Sequence, residues 1–428
     1  MPESSGDHQG QLGTVRLLPL ALALGIAVGL LVVGIRVFVY DLLWGHVPQS
    51  APWVGVFPAL GLLISGLLLH FMATRSEVHD TEAYIEAYHA GEVDSPRTAF
   101  AKTTAALFTV GFGGAAGLEG PSMYIGSVLG GWLHPVLRRL GIHDGRAARS
   151  LLIAGAAAGI SAVFKAPLTG LVFALEVPYT DDFAREALVP ALVASVSSYL
   201  ALVSLLGTEP LFPVNRALAP SLKYVVFALL LGALLGVVAR LLSLGLLAAE
   251  RISDKVPVPL YVRTLGGGIV CGALGIVTLR IFGSPLALGS GYELINGSVA
   301  GRYVGMAALV LLILRSAAVL STLGSGAAGG TFIPFMSMGA AAGGVFEGLA
   351  PSSGALFPII GMAAFLAAAN ATPIAAAVFV AESTGSTGYI IPGIVAATAA
   401  YLVSGGRSVS RNQRPSRRTS LGGFGPDA

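Results

Sequence analysis

One carboxylate stands where it could do ionic chemistry. In residues 111–131, GFGGAAGLEGPSMYIGSVLGG, Glu119 lies between glycines inside a long apolar tract, with Pro121 two residues later. An ionisable side chain at membrane depth is costly and marks a functional position by default. Glycine lets the backbone open and proline suits the first turn of a helix, so GLEGP reads as a loop feeding a helix N-terminus. The free N–H groups and positive dipole end there favour an anion. Taken alone, GxExP reads as an ordinary helix cap next to a loop.

The motif has an echo. Gly117-Leu-Glu119-Gly-Pro121 is matched 213 positions on by Gly330-Thr-Phe332-Ile-Pro334. After each proline, glycines follow at the same three spacings: Gly126, Gly130 and Gly131, then Gly339, Gly343 and Gly344. A cation precedes each motif by the same distance, Lys102 in one copy and Arg315 in the other. Pro167 and Pro373, 206 apart, each have a glycine upstream (Gly155, Gly361) and a glutamate downstream (Glu176, Glu382) at matched spacing. Matches in this number and order indicate duplication. Weak internal symmetry of this kind is the signature of transporter folds, whose sites lie at the repeat interface between helix N-termini.

The elements that must position these residues are membrane helices. Hydrophobic residues make up 54% of the chain and charged ones 11%, with mean hydropathy +0.79, too little charge for a soluble surface of 428 residues. Open strands cannot satisfy their backbone in lipid, and no alternating barrel pattern appears. An all-α polytopic membrane protein follows. Residues 1–15 are polar and glycine-rich and are expected to be disordered. Residues 16–215 and 216–404 form the two membrane repeats, and 405–428 a flexible basic tail that the positive-inside rule places in the cytoplasm. Apolar segments are expected over 17–44, 52–72, 100–117, 121–140, 150–177, 186–206, 222–248, 260–282, 302–323, 334–349, 355–383 and 389–404. Many are interrupted by glycine, proline or one charge, as broken and re-entrant helices are. The polar interval before residue 100 has helical spacing at Ala83, Tyr84, Ala87 and Tyr88.

At GLEGP and GGTFIP the sequence resembles the CLC family of chloride channels and chloride/proton exchangers, and AGAAAGISAVFKAPLTGLVFALE resembles the family segment after the first signature. The resemblance runs over about residues 16–404. It implies two inverted repeats of broken helices, a homodimer with one anion pathway per subunit, and no cytoplasmic nucleotide-binding pair, the tail being short. It implies that Glu119 is the gating glutamate, competing with anions for its own site and carrying a proton when it swings out. The backbone N–H groups of Leu118, Glu119, Gly120, Thr331, Phe332 and Ile333 would bind the anion without a full countercharge, so that it can also leave. Phe332 would shape the constriction. Lys102 and Arg315 would lend positive potential, or else act as snorkelling helix anchors.

The sequence departs from the family pattern at three places. The family's GSGIP serine is missing; SEVHDTEAY puts His79 or Val78 there, and a histidine could donate a hydrogen bond to an anion. Val409 stands near the place of the family's central tyrosine, and Tyr401 comes too early. The position after Glu176, where exchangers often carry an inner proton-accepting glutamate, is Val177, so channel and exchanger both stay open. Glu176 itself reads as a structural helix-end residue. Outside the family, the rival reading is a secondary transporter of an organic anion. No HExxH, GxSxG or histidine cluster supports an enzyme, and no metal or cofactor is expected. Cys271 is the single cysteine, which leaves no internal disulfide. The tail carries five arginines against one aspartate while the net charge is +3, so nothing outside the tail favours nucleic acid. Expected partners are chloride or a similar small anion, protons, lipid and a second copy of the chain.

Overall fold

The computed structural model describes residues 4–73, 80–214, 221–350, 355–410 and 412–416, with side chains from Val15 onward. The first half contains α1 (Ser4–Arg36), α2 (Val56–Met72), α3 (Asp80–Ala90), α4 (Pro96–Gly111), α5 (Glu119–Gly131), α6 (His134–Arg139), α7 (Gly145–Phe164), α8 (Pro167–Glu176) and α9 (Leu188–Leu206). The second contains α10 (Leu222–Lys255), α11 (Leu260–Phe282), α12 (Tyr292–Val299), α13 (Met306–Gly324), α14 (Phe332–Leu349), α15 (Leu356–Asn370), α16 (Pro373–Thr384) and α17 (Ile390–Ser404). Among the described residues nine helices, joined in places by short helical turns, are long and apolar enough to cross a membrane. The shorter apolar helices α8, α15 and α16 are the broken pieces that the interrupted segments predicted.

Two expectations need correction. The first helix begins at Ser4, inside the stretch read as a disordered tail. The beginning of the C-terminal tail is not free either. Arg414 forms a backbone bridge with Tyr179, Thr180 donates to Arg414 O at 3.0 Å, and the Gln413 amide donates to Val177 O at 2.7 Å and Asn370 O at 2.9 Å. Tail backbone and the Gln413 side chain thus pair with loop N–H and carbonyl groups where α8 and α15 end, partners that composition alone could not reveal.

The repeats are built alike and point opposite ways. The far end of α5 packs by the loop before α4, where Trp132 Nε1 donates to Asp94 O at 3.2 Å. This end of the bundle also gathers Arg138, Arg139, Arg146, Arg149, Arg185, Arg407 and Arg414. The far end of α14 approaches the loop before α13, Gly348 against Gly305, at the opposite end. Segment 150–177 splits at Lys165 and segment 355–383 at Ala371. These two are the only non-glycine residues with positive φ among the described ones, at 51° and 55°. Each ends a helix two residues before the proline that starts the next, a left-handed stop followed by proline at the first turn.

Glycine brings the paired helices together. A side chain on Gly126 would collide with the carbonyl of Gly155 and one on Gly155 with that of Gly126; Gly339 and Gly361 repeat the arrangement. Small residues at such crossings let membrane helices approach closely, where packing rather than the hydrophobic effect drives association. The two glutamates of the repeat exchange caps across the molecule. Glu176 accepts from the N–H groups of Ile374 and Ala375 at 3.1 and 2.8 Å, opening α16. Glu382 accepts from those of Leu168 and Thr169 at 2.9 and 2.7 Å, opening α8, and from Thr169 Oγ1. Glu176 is therefore a helix-end residue, as expected, but the end it caps belongs to the other repeat. Removing a charged acceptor from such donors costs about 2 kcal/mol. Glu382→Ala should therefore unfold at clearly lower temperature than wild type in detergent, with Glu382→Gln between them; equal melting of all three would deny the cap a structural role.

Candidate anion site

The loops before α5 and α14 meet at the centre. Gly117 N–H donates to Gly330 O and Gly330 N–H to Gly117 O, both at 2.8 Å. Leading in, Gly113 and Gly326 both have φ of 90°, a conformation that favours glycine. The junction has no room for side chains: a Cβ on Gly330 would stand 2.7 Å from Gly120 N, and one on Gly120 3.0 Å from Gly330 Cα. The first bond of α5 runs from Ser122 N–H to Leu118 O, and that of α14 from Phe335 N–H to Thr331 O. The amides at the two starts, those of Leu118, Glu119, Gly120, Thr331, Phe332 and Ile333 among them, therefore lack an acceptor within their own helices. The structure brings all six sequence-predicted amides into this one junction.

Glu119 fills it. The side chain is fully buried and folds back so that a Cβ on Gly117 would collide with its Oε2. The N–H groups of Glu119 and Ile333 point toward the carboxyl group. Oε1 accepts from the Tyr292 hydroxyl at 3.4 Å, and Oε2 is buried with no hydrogen bond of good geometry. The carboxylate thus occupies the place between helix starts where an anion would be held. Phe332 is buried beside it, its ring 4.3 Å from that of Phe173 and 5.4 Å from that of Phe164.

Three residues that the sequence reading did not single out complete the surroundings. Tyr292 is in edge contact with Tyr40, ring centres 6.1 Å apart, and Tyr40 donates to Ser290 Oγ at 3.2 Å. Arg36 lies over the Tyr40 ring at 5.9 Å, donates to Val163 O at 3.2 Å, and is near enough to Glu119 for their charges to interact. Arg36 is a lone cation in the apolar run 17–44, so the rule that flagged Glu119 flags it too. Tyr292 carries no such signal, because its loop reaches Glu119 only through the tertiary fold.

The predicted supporting charges go elsewhere. Lys102 forms an ion pair with Asp94 at 2.9 Å and is 2% exposed; it neither snorkels nor faces the junction, because the nearer carboxylate captures it. Arg315 is fully buried and donates to the carbonyls of Ala287, Gly289 and Ser290 at 2.8, 2.8 and 2.6 Å and to Ser337 Oγ at 3.1 Å. It pins the loop that presents Tyr292. Tyr401 donates to Thr180 O at 3.0 Å at the basic end, and Val409 is buried with its N–H on Ala369 O. His79 and Val78 lie outside the described residues.

An inverted repeat of broken helices, with a buried acid between two opposed helix starts, defines an integral membrane protein of the anion-transporting kind. The chain belongs to the voltage gated chloride channel family, whose profile matches residues 60–405. It is 28% identical over 367 residues to a putative chloride channel protein, ClcB-like, of Ralstonia nicotianae, covering 83% of this chain and 84% of that one. It is 30% identical over 306 residues to the H(+)/Cl(-) exchange transporter ClcA of Cronobacter sakazakii, covering 69% of this chain and 64% of the relative, so about a third of that relative has no counterpart. A CLC-type fluoride/proton antiporter and a slow cyanobacterial Cl-/H+ antiporter share the fold, each with a TM-score of 0.80 and 23% identity. They cover 94% and 92% of this chain and 98% and 96% of their own.

Gly117→Ala puts a methyl group where Oε2 now lies and should expel the carboxylate from the junction. Anion flux through the variant should then become several-fold less sensitive to pH between about 4 and 7.5, the range over which carboxyl groups titrate. Wild-type pH sensitivity in a folded Gly117→Ala protein would place the functional carboxyl position elsewhere.

Proposed function

We propose that the chain exchanges chloride, or a similar small anion, for protons across a membrane, with Glu119 as the shared gate. The observation that carries this reading is the fully buried carboxylate folded between two helix starts with one oxygen unsatisfied. An anion arriving at the amides of Phe332 and Ile333 competes with the carboxylate for the same donors. A proton removes the negative charge those donors hold, so protonation releases the side chain and opens the site. The anion and the ionised carboxylate thereby exclude each other at one place, so anion entry and protonation of Glu119 are tied to the same event, which is the requirement for coupling. Backbone dipoles bind without a full countercharge and let the anion leave again. The exchange activity of the ClcA relative supports the same reading.

The basic end, with its arginines, faces the cytoplasm by the positive-inside rule, and Tyr292, Tyr40 and Arg36 guard Glu119 from the other side. The membrane repeats extend over 16–215 and 216–404, and two copies of the chain assemble as a dimer with one pathway in each. The chain works as a transporter rather than an enzyme.

Full-length protein in liposomes, loaded with chloride and followed with a chloride electrode and a pH electrode, tests the proposal. Chloride leaving down its gradient should drive protons inward against theirs, and Glu119→Gln should abolish proton movement while chloride still flows. Chloride flux with no proton movement in wild type would make the protein a channel, and no chloride flux at any pH would sink the transport assignment.

A further inference from the structure

The gate has a second buried carboxylate as a neighbour. Asp80, the first residue of α3, is 1% exposed, and its Cβ lies 3.4 Å from where a Cβ on Gly120 would stand. It packs against the residue next to Glu119. Asp80 is also near enough to Tyr124 of α5 for its charge to act on that hydroxyl. The Tyr124 hydroxyl donates to Asp94 Oδ2 at 2.6 Å, and the same oxygen accepts from Lys102 Nζ at 2.9 Å. Beyond this pair is a small cavity of about 20 Å³ lined by Glu86, Glu92, Asp94, Lys102, Tyr124 and Ser127, room for a single water. Asp94 belongs to the loop between α3 and α4 at the basic end. Titratable groups therefore run from that face to the residue beside the gate.

We infer that Asp80, Tyr124 and Asp94 carry protons between the cytoplasmic face and Glu119, with Lys102 holding the Asp94 carboxylate in place. The inference rests on the exchange reading above. A hydronium ion at the cytoplasmic face gives its proton to Asp94 and leaves as water. Tyr124 passes its hydroxyl hydrogen on to Asp80 and takes the one from Asp94 in its place, and Asp80 then gives its proton to Glu119. Each O–H bond broken is matched by one formed, and the chain is left as it began once Glu119 releases its proton on the far side. The route approaches Glu119 from the α3 side, so proton and anion meet only at the gate. A buried ion pair is weak evidence for stability on its own account, and a purely structural Lys102–Asp94 pair would not require a second acid beside Glu119.

The same liposome assay decides the matter through the ratio of proton to chloride initial rates. Asp80→Asn and Tyr124→Phe should each lower that ratio at least tenfold, with chloride flux staying within about threefold of wild type, and Asp80→Glu should restore most of it. Wild-type protein that moves chloride without protons would overturn the exchange reading and the route with it. Coupled wild type together with an unchanged ratio in both variants would overturn the route alone. An Asp80→Asn protein that loses both fluxes, alongside a Tyr124→Phe protein with the wild-type ratio, would show these residues to be structural and would equally overturn it.

Discussion

The reciprocal pair of backbone hydrogen bonds between Gly117 and Gly330 is the constraint on which the rest depends. It fastens the loop before α5 to the loop before α14, and so fixes two opposed helix starts at one point. Nothing larger than hydrogen fits at Gly120 or Gly330 without displacing the other loop's backbone. The motif glycines are there for clearance as much as for turning. Once the loops are fastened, a carboxylate three atoms long at position 119 can reach back between the two starts, and position 332 places an aromatic ring at the same spot. The differing side chains at these equivalent positions make the site asymmetric although its backbone is nearly two-fold.

A chain in lipid must satisfy its polar groups from within, and this one does so largely across the repeat boundary. Glu176 and Glu382 cap each other's helices, so neither repeat has complete helix ends without its partner. Arg315 serves the same economy on a larger scale: one buried guanidinium gathers the carbonyls of residues 287, 289 and 290, which a re-entrant loop would otherwise leave bare. That loop then holds Ser290 and Tyr292 in place over Glu119. Backbone satisfaction and the placing of Glu119 are thus parts of one hydrogen-bond system.

Periodic and repeated features were legible in the sequence because they are local. The duplication, the helix starts at Pro121 and Pro334, the breaks near Pro167 and Pro373 and the six junction amides all follow from glycine and proline at fixed offsets. Charge partners were not legible. Lys102 and Arg315 occupy equivalent positions 213 apart, yet one finds Asp94 and the other a row of carbonyls, because each side chain is claimed by whatever the fold places nearest. Tyr292 and the docking of Gln413 on Val177 and Asn370 were hidden for the same reason. Asp80 carries no signal in the sequence because it reads as part of a polar interval. Only the packing of α3 against α5 shows it to be buried.

Where the cations lie says how the site can bind and still let go. Of the two basic residues at matched places in the repeats, one is paired with an acid and the other is spent on carbonyls. Arg36 stands behind the Tyr40 ring and interacts with Glu119 at a distance. On the proposed reading the anion's direct partners are amide dipoles, whose attraction falls off within the first helical turn. A lysine or arginine at contact distance inside the bilayer would bind an anion too tightly to turn over. An acid whose charge can be removed by a proton is the competitor that suits such a site, since the field that holds the anion also holds the acid only while it is ionised.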